Sequence, residues 1–191
     1  MCMGGVDAVR GINFQHCHAL LVALDVAADD KLAGVRVEGI DDVLDLEVHA
    51  VGSNGDPGVV LRGLQMKSRK QPNTWAQGAL LGVVQRWAAL PLSAHSEFVF
   101  RTDGDLGPSG AAVAKALDAA RDNDLTPIAG LLGVPVDDPL CAVMARASVV
   151  SEPGSVEALL HSAEQEVRSR LKVEGRYGGA GGPRSDRKSV V

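Results

Sequence analysis

Residues 41–68, "DDVLDLEVHAVGSNGDPGVVLRGLQMKS", constrain the fold more than any other stretch of the chain. Successive side chains of a strand point to opposite faces, so Leu44, Leu46 and Val48 share one side and Asp45, Glu47 and His49 the other. The following "GSNGDPG" (52–58) is turn chemistry throughout. The next run, from about Val59 to Ser68, therefore folds back as the second arm of an antiparallel hairpin. Upstream, "GVRVEGI" (34–40) is short, β-branched and bounded by glycine, and reads as a separate strand or as one strand broken at Asp41.

Helical periodicity flanks this unit. "GINFQHCHALLVALDVAA" (11–28) places Leu20, Leu21 and Leu24 at helical spacing with Gln15 about one turn earlier. After the third strand, Thr74 is the expected N-cap of a helix whose apolar face is Trp75, Leu80, Leu81, Val84 and Trp87. "SEFVFRTDGDLG" (96–107) gives a short buried strand, and Ser109 is the expected cap of the alanine-rich helix that follows. A last helix over about 155–172 carries acids early and bases late, as the helix dipole prefers. Helix, three strands, helix, strand, helices predicts an α/β layered domain.

Composition narrows the function classes. The 191 residues are 46% apolar, enough for a real core, and only 3% aromatic, so that core is aliphatic. With 24 acidic and 19 basic residues the net charge is −5, and any polyanion site has to be local. Cys2, Cys17 and Cys141 have no CxxC spacing and form no disulfide framework or zinc site, and His16, His18 and His49 share no ligand spacing with acids. No apolar run approaches the ~18 residues of a membrane span, and the first residues lack the charged and apolar regions of a signal peptide, so a cytoplasmic location is expected.

Chemistry concentrates at the strand ends. Gln65 and Lys67 point the same way from the third strand, with Gly63 below them and Leu64 and Met66 on the reverse face. An amide oxygen is a hard metal ligand, and a lysine beside it can orient or help deprotonate a water while offsetting phosphate charge. Asp42, in phase with Leu44 and Leu46, is expected to point to the packed side, where a carboxylate wants a cation. A symmetric hairpin brings Asp42 near Lys67 and allows one metal between Asp42 and Gln65. Asp41 and Asp45 are expected to be solvated. Glu38 either binds metal or pairs with Arg36 or Lys67, and Gln15 either flanks the site or hydrogen-bonds helix to sheet. Arg69 and Lys70 can touch phosphate or lie in a solvated loop; Trp75 and Trp87 are core.

"GINFQ" on a helix, then "VEGIDDV", "LQMKSR" and a helix with "TWAQGAL" resemble the nuclease domain of bacterial anti-phage effectors associated with cyclic-oligonucleotide synthases. These are relatives of Mrr-like enzymes in the PD-(D/E)xK superfamily, and the later "EFVFRTDGDLG" is similar to the strand that often follows there. The resemblance covers about residues 10–107. It implies a restriction-endonuclease-like core, a mixed central sheet flanked by helices, and hydrolysis of DNA phosphodiesters, the DNA being double-stranded. Asp42, Gln65 and Glu38 are then the ligands of Mg²⁺ or Mn²⁺, Lys67 is the catalytic lysine, and Gln15 occupies the helix position that holds Glu or Gln in Mrr-like enzymes. Gln65 stands where the wider superfamily has Asp or Glu, a replacement that Mrr-like members share. A catalytically silent DNA-binding or protein-interaction module on the same fold is the alternative.

The domain is expected to span 1–173 and a linker tail 174–191, with "GGAGG" as spacer. "DRKSVV" (186–191) is one reading frame of a widely used sequencing adapter, GATCGGAAGAGCGTCGTG. The expectation is a native chain that continues past about residue 184 into a sensor or NTPase domain through which copies associate, and the alternative is a native flexible tail.

Overall fold

The computed structural model describes residues 4–39, 43–53, 57–69, 73–91, 95–154 and 156–175. A long helix α1 (Gly4–Ala27) leads into three strands, β1 (Leu32–Val37), β2 (Leu46–Val51) and β3 (Pro57–Lys67). Then come α2 (Gln77–Ala88), β4 (Glu97–Thr102), α3 (Pro108–Arg121), α4 (Thr126–Leu132), α5 (Pro139–Met144), β5 (Ala147–Ser151) and α6 (Val156–Gly175). The strands form one sheet in the order β1-β2-β3-β4-β5, the β1/β2 and β2/β3 pairs antiparallel and the β3/β4 and β4/β5 pairs parallel. This is an α/β fold, a five-stranded mixed sheet with six flanking helices among the described residues.

Two apolar clusters cover the two faces of the sheet. On one, Phe14 and Val26 of α1 meet Leu46, Val48, Leu64 and Met66. On the other, Leu80, Leu81, Val84 and Trp87 of α2 and Val113, Ala116, Leu117 and Ala120 of α3 pack on Phe98 and Phe100. The i, i+3, i+4, i+7 spacing in α3 gives it a single buried stripe. The Trp87 ring stacks on Phe98 with centroids 5.4 Å apart, and Trp75 meets Phe100 edge-on at 4.8 Å. Both tryptophans are core, as their spacing predicted. No helix among the described residues is long and apolar enough to cross a membrane.

Several local expectations are corrected. α2 begins at Gln77 with Ala76 at its N-cap, so Thr74 does not cap it; Trp75 instead forms a bridge with Leu106 that holds this segment to the loop after β4. The N-cap of α3 is Gly107 with Pro108 in the first turn, whose fixed φ suits a helix start and displaces Ser109 from the role. The Ser109 hydroxyl accepts from Gln77 N across the two helix starts at 3.3 Å. α4, α5 and β5 fill the chain between α3 and α6. α5 has its own signal, because the Asp138 side chain accepts from Leu140 N at 2.8 Å ahead of Pro139. β5 is only five residues and mostly half-covered on both faces, so it shows no period-2 pattern.

The second strand is also shorter than its alternation implied. It starts at Leu46 rather than Asp41, and residues 43–45 form a turn and bend. Leu44 therefore packs in the α2-side cluster while Leu46 and Val48 face α1, and the common face assigned to the three leucine and valine positions is broken. Glu47, on the face opposite Leu46 and Val48, is fully buried, with His49 Nε2 3.1 Å away and Arg36 Nη1 at 3.9 Å.

Candidate active site

The carboxyl ends of β1 and β3 and the amino end of β2 lie at one edge of the sheet, a consequence of two antiparallel pairings in register. The last β2/β3 pair is Leu46 with Leu64, so residues 65–67 run past β2 and, among the described residues, pair only with Phe100, Arg101 and Thr102 of β4. Asp45 occupies the space beside them. Its N–H donates to Leu64 O at 2.9 Å and its Oδ2 accepts from Met66 N at 2.6 Å. Its Oδ1 lies 3.6 Å from Lys67 Nζ. The expectation of a solvated Asp45 fails here: its side chain is 19% exposed and makes the ion pair that holds Lys67.

A cleft of about 300 Å³ opens at this place, lined by Gln15, Glu38, Asp45, Met66 and Lys67 among others. Gln15 arrives from α1 and donates its Nε2 to Met66 O at 3.2 Å, the helix-to-sheet bond that was one of its two readings, while it also lines the cleft. Glu38 follows β1 and is exposed, with φ at +59°. Its N–H donates to Asp45 O at 3.0 Å and Gly39 N donates to Leu44 O at 2.9 Å, which ties the end of β1 to the residues before β2. A glutamate in this left-handed region costs about 1–2 kcal/mol, and retained strain of this sort is concentrated at functional sites.

Gln65 lies one pleat below, on the α2 face with Gly63, and is 2% exposed. Its Oε1 is buried and has no hydrogen-bond partner among the described residues. An orphaned acceptor of this kind costs about 1–3 kcal/mol, which a nearby cation would offset. The carboxylates of Asp45 and Glu38 and the amides of Gln15 and Gln65 are oxygen donors, the type preferred by Mg²⁺ and Mn²⁺ over softer metals. Among the described residues, no three His, Cys, Asp or Glu side chains form a metal cluster by themselves. From the described residues, a cation here has to draw on the amide oxygens as well as on Asp45 and Glu38. Asp42 and Lys70 lie outside the described residues, as does Asp41.

Arg69 is drawn into packing. Its guanidinium lies 3.8 Å from the centroid of Trp75 and donates to Thr74 O at 2.7 Å, an arrangement that holds the post-β3 segment against α2's approach. Stacked in this way, it is a structural cation first. Farther along the same edge, His18 of α1 is 1% exposed, and its Nδ1 accepts from Arg101 Nη1 at 3.0 Å. Burial, with the Arg101 charge adding to it and Asp103 opposing, pushes the imidazole down to about 4, so it is neutral across the physiological range.

Asp45 and Asp103 are the functional candidates that sequence reasoning passed over. The signal for Asp45 was its place directly before the continuous Leu46–Val48 strand, where a short carboxylate can bond across to a neighbouring strand's N–H. Asp103 directly follows β4, and nothing local reveals that its partners come from α1 and from the end of β3. No protein-family model, characterised protein or solved structure matches the chain.

Proposed function

We propose that the chain is a metal-dependent deoxyribonuclease of the Mrr-like PD-(D/E)xK type, acting on double-stranded DNA as the effector part of a bacterial anti-phage protein. The observation that carries this reading is the meeting of Lys67, Asp45, Glu38 and Gln15 around one cleft at the ends of β1 and β3. The motif resemblance supplies the substrate class. The order α1, three antiparallel strands, α2 and a parallel β4 agrees with the restriction-endonuclease-like core that the resemblance implies.

Asp45, Glu38 and Gln15, which line the cleft, would hold the metal, and the resemblance adds Asp42 and Gln65 to that set. Mg²⁺ bound there supplies Lewis-acid polarisation of the scissile phosphate and a water of lowered pKa. Lys67 places an ammonium at the cleft, where it offsets charge that grows on the phosphate oxygens and orients the attacking water. Asp45 fixes that ammonium from one side while its second oxygen fixes the Met66 peptide. Gln15 donates to the Met66 carbonyl, in the next peptide group, so Lys67 follows a residue bonded through both its N–H and its C=O.

Incubation of supercoiled plasmid with the protein and Mg²⁺ tests the reading. The protein is expected to nick and degrade the plasmid, EDTA to stop it, and Lys67→Ala to slow it by ~10²-fold or more, the usual scale for a lost acid–base or charge-stabilising group. Equal degradation by the parent and Lys67→Ala overturns the assignment. Plasmid binding without cleavage, unchanged in Lys67→Ala, would instead favour the silent DNA-binding module.

A further inference from the structure

The residue after Lys67 is held as firmly as the one before it. Asp103, at the exit of β4, is 6% exposed and receives four donors. Its Oδ1 accepts from Arg69 N at 2.8 Å, and its Oδ2 accepts from Ser68 Oγ at 2.9 Å and from Arg10 Nη2 and Nε at 2.7 and 3.1 Å. Arg10 Nε also donates to Ser68 Oγ at 3.0 Å, which closes a small ring of bonds. Arg10 and Gln15 belong to the same helix, so α1 grips β3 on both sides of Lys67: Gln15 at the Met66 carbonyl, Arg10 through Ser68 and Asp103.

We propose that Arg10 and Asp103 are positioning residues for Lys67, an inference that rests on the nuclease reading for its consequence but not for its geometry. Residues 65–67 extend past the end of β2, and among the described residues strand pairing fixes them from the β4 side. The remaining constraints on Lys67 are the Asp45 pair, the Gln15 bond and the Arg10–Asp103 ring. An exposed ion pair with these distances would contribute little. Here the two side chains are 30% and 4% exposed, and loss of one partner strands a buried charge beside the site. A catalytic group displaced by about 1 Å can lose ~10² in rate, so the ring acts on turnover more than on substrate binding.

Two measurements on Arg10→Gln and Asp103→Asn test this. In the Mg²⁺ plasmid assay, kcat is expected to fall ~10–100-fold with KM changed less than ~3-fold. In native-state amide exchange, Met66, whose N–H is bonded to Asp45 and not to Asp103, is expected to exchange ~10-fold faster while Leu64 keeps its parent rate. Ser68→Ala, which removes one donor, should show both effects at smaller size. A uniform acceleration through the whole sheet, or no local change at Met66, overturns the inference whatever the activity does. Should the parent protein leave plasmid uncut, the nuclease reading falls, and the Met66 exchange alone decides the positioning role.

Discussion

Lowering the pH from 7.5 to 5 should expose the energetic consequence of burying His18. Phe14 packs edge-on against its ring with centroids 4.6 Å apart, Arg101 Nη1 donates to its Nδ1 at 3.0 Å, and Glu152 Oε2 stands 3.8 Å from its Nε2. The donor at Nδ1 fixes the neutral tautomer with its proton on Nε2. Protonation would set an imidazolium against a guanidinium inside the fold, and the carboxylates of Glu152 and Asp103 do not offset that: the group falls from 6.5 to about 4. The folded pKa is depressed, so the unfolded chain binds the proton first as pH falls. His18 therefore costs no stability above ~6.5, costs progressively more between ~6.5 and ~4, and reaches a plateau of about 3 kcal/mol below that. At pH 5 the same relation gives about 2 kcal/mol. Urea unfolding of the parent and His18→Gln at pH 7.5 and 5.0 isolates this contribution, because Gln keeps an acceptor for Arg101 and does not titrate. The parent should lose about 2 kcal/mol more than the variant on acidification. Parallel losses, within ~0.5 kcal/mol of each other, would refute a buried neutral His18.

Asp45→Ala should lower stability by about 1–3 kcal/mol, since Met66 N loses a charge-assisted acceptor, and abolish Mg²⁺-dependent cleavage; chemical denaturation and the plasmid assay measure the two. Glu38→Gly removes about 1–2 kcal/mol of left-handed strain and adds about 0.5–1 kcal/mol of chain entropy to the unfolded state. Stability should therefore hold or rise slightly while activity falls, and a variant that unfolds more easily than the parent would contradict the strain. Gly110→Ala drives a methyl group into the Trp75 carbonyl, which is backbone and cannot swing aside. It should cost about 3 kcal/mol, and a melting temperature equal to the parent's would show that the two helix starts are less tightly apposed.

The sequence by itself determined the layered α/β character and the antiparallel hairpin pairing of β2 with β3. Each follows from local rules: period-2 alternation, a run of turn residues, and helical spacing of leucine and tryptophan. It also singled out Gln15 and Glu38, which the fold brings to the cleft with Lys67. The phase of β2 was beyond local reading. The strand begins at Leu46 because the Asp45 carboxylate bonds to Met66 N, a partner 21 residues away. That contact converts Asp45 from an apparent surface acid into the partner of Lys67. The same holds for Asp103, whose donors come from α1 and from the end of β3, 93 and 35 residues away. Strand pairs and helix stripes are written in neighbouring residues, whereas a buried carboxylate's role is set by which donors the folded chain brings to it, and only the tertiary structure decided that.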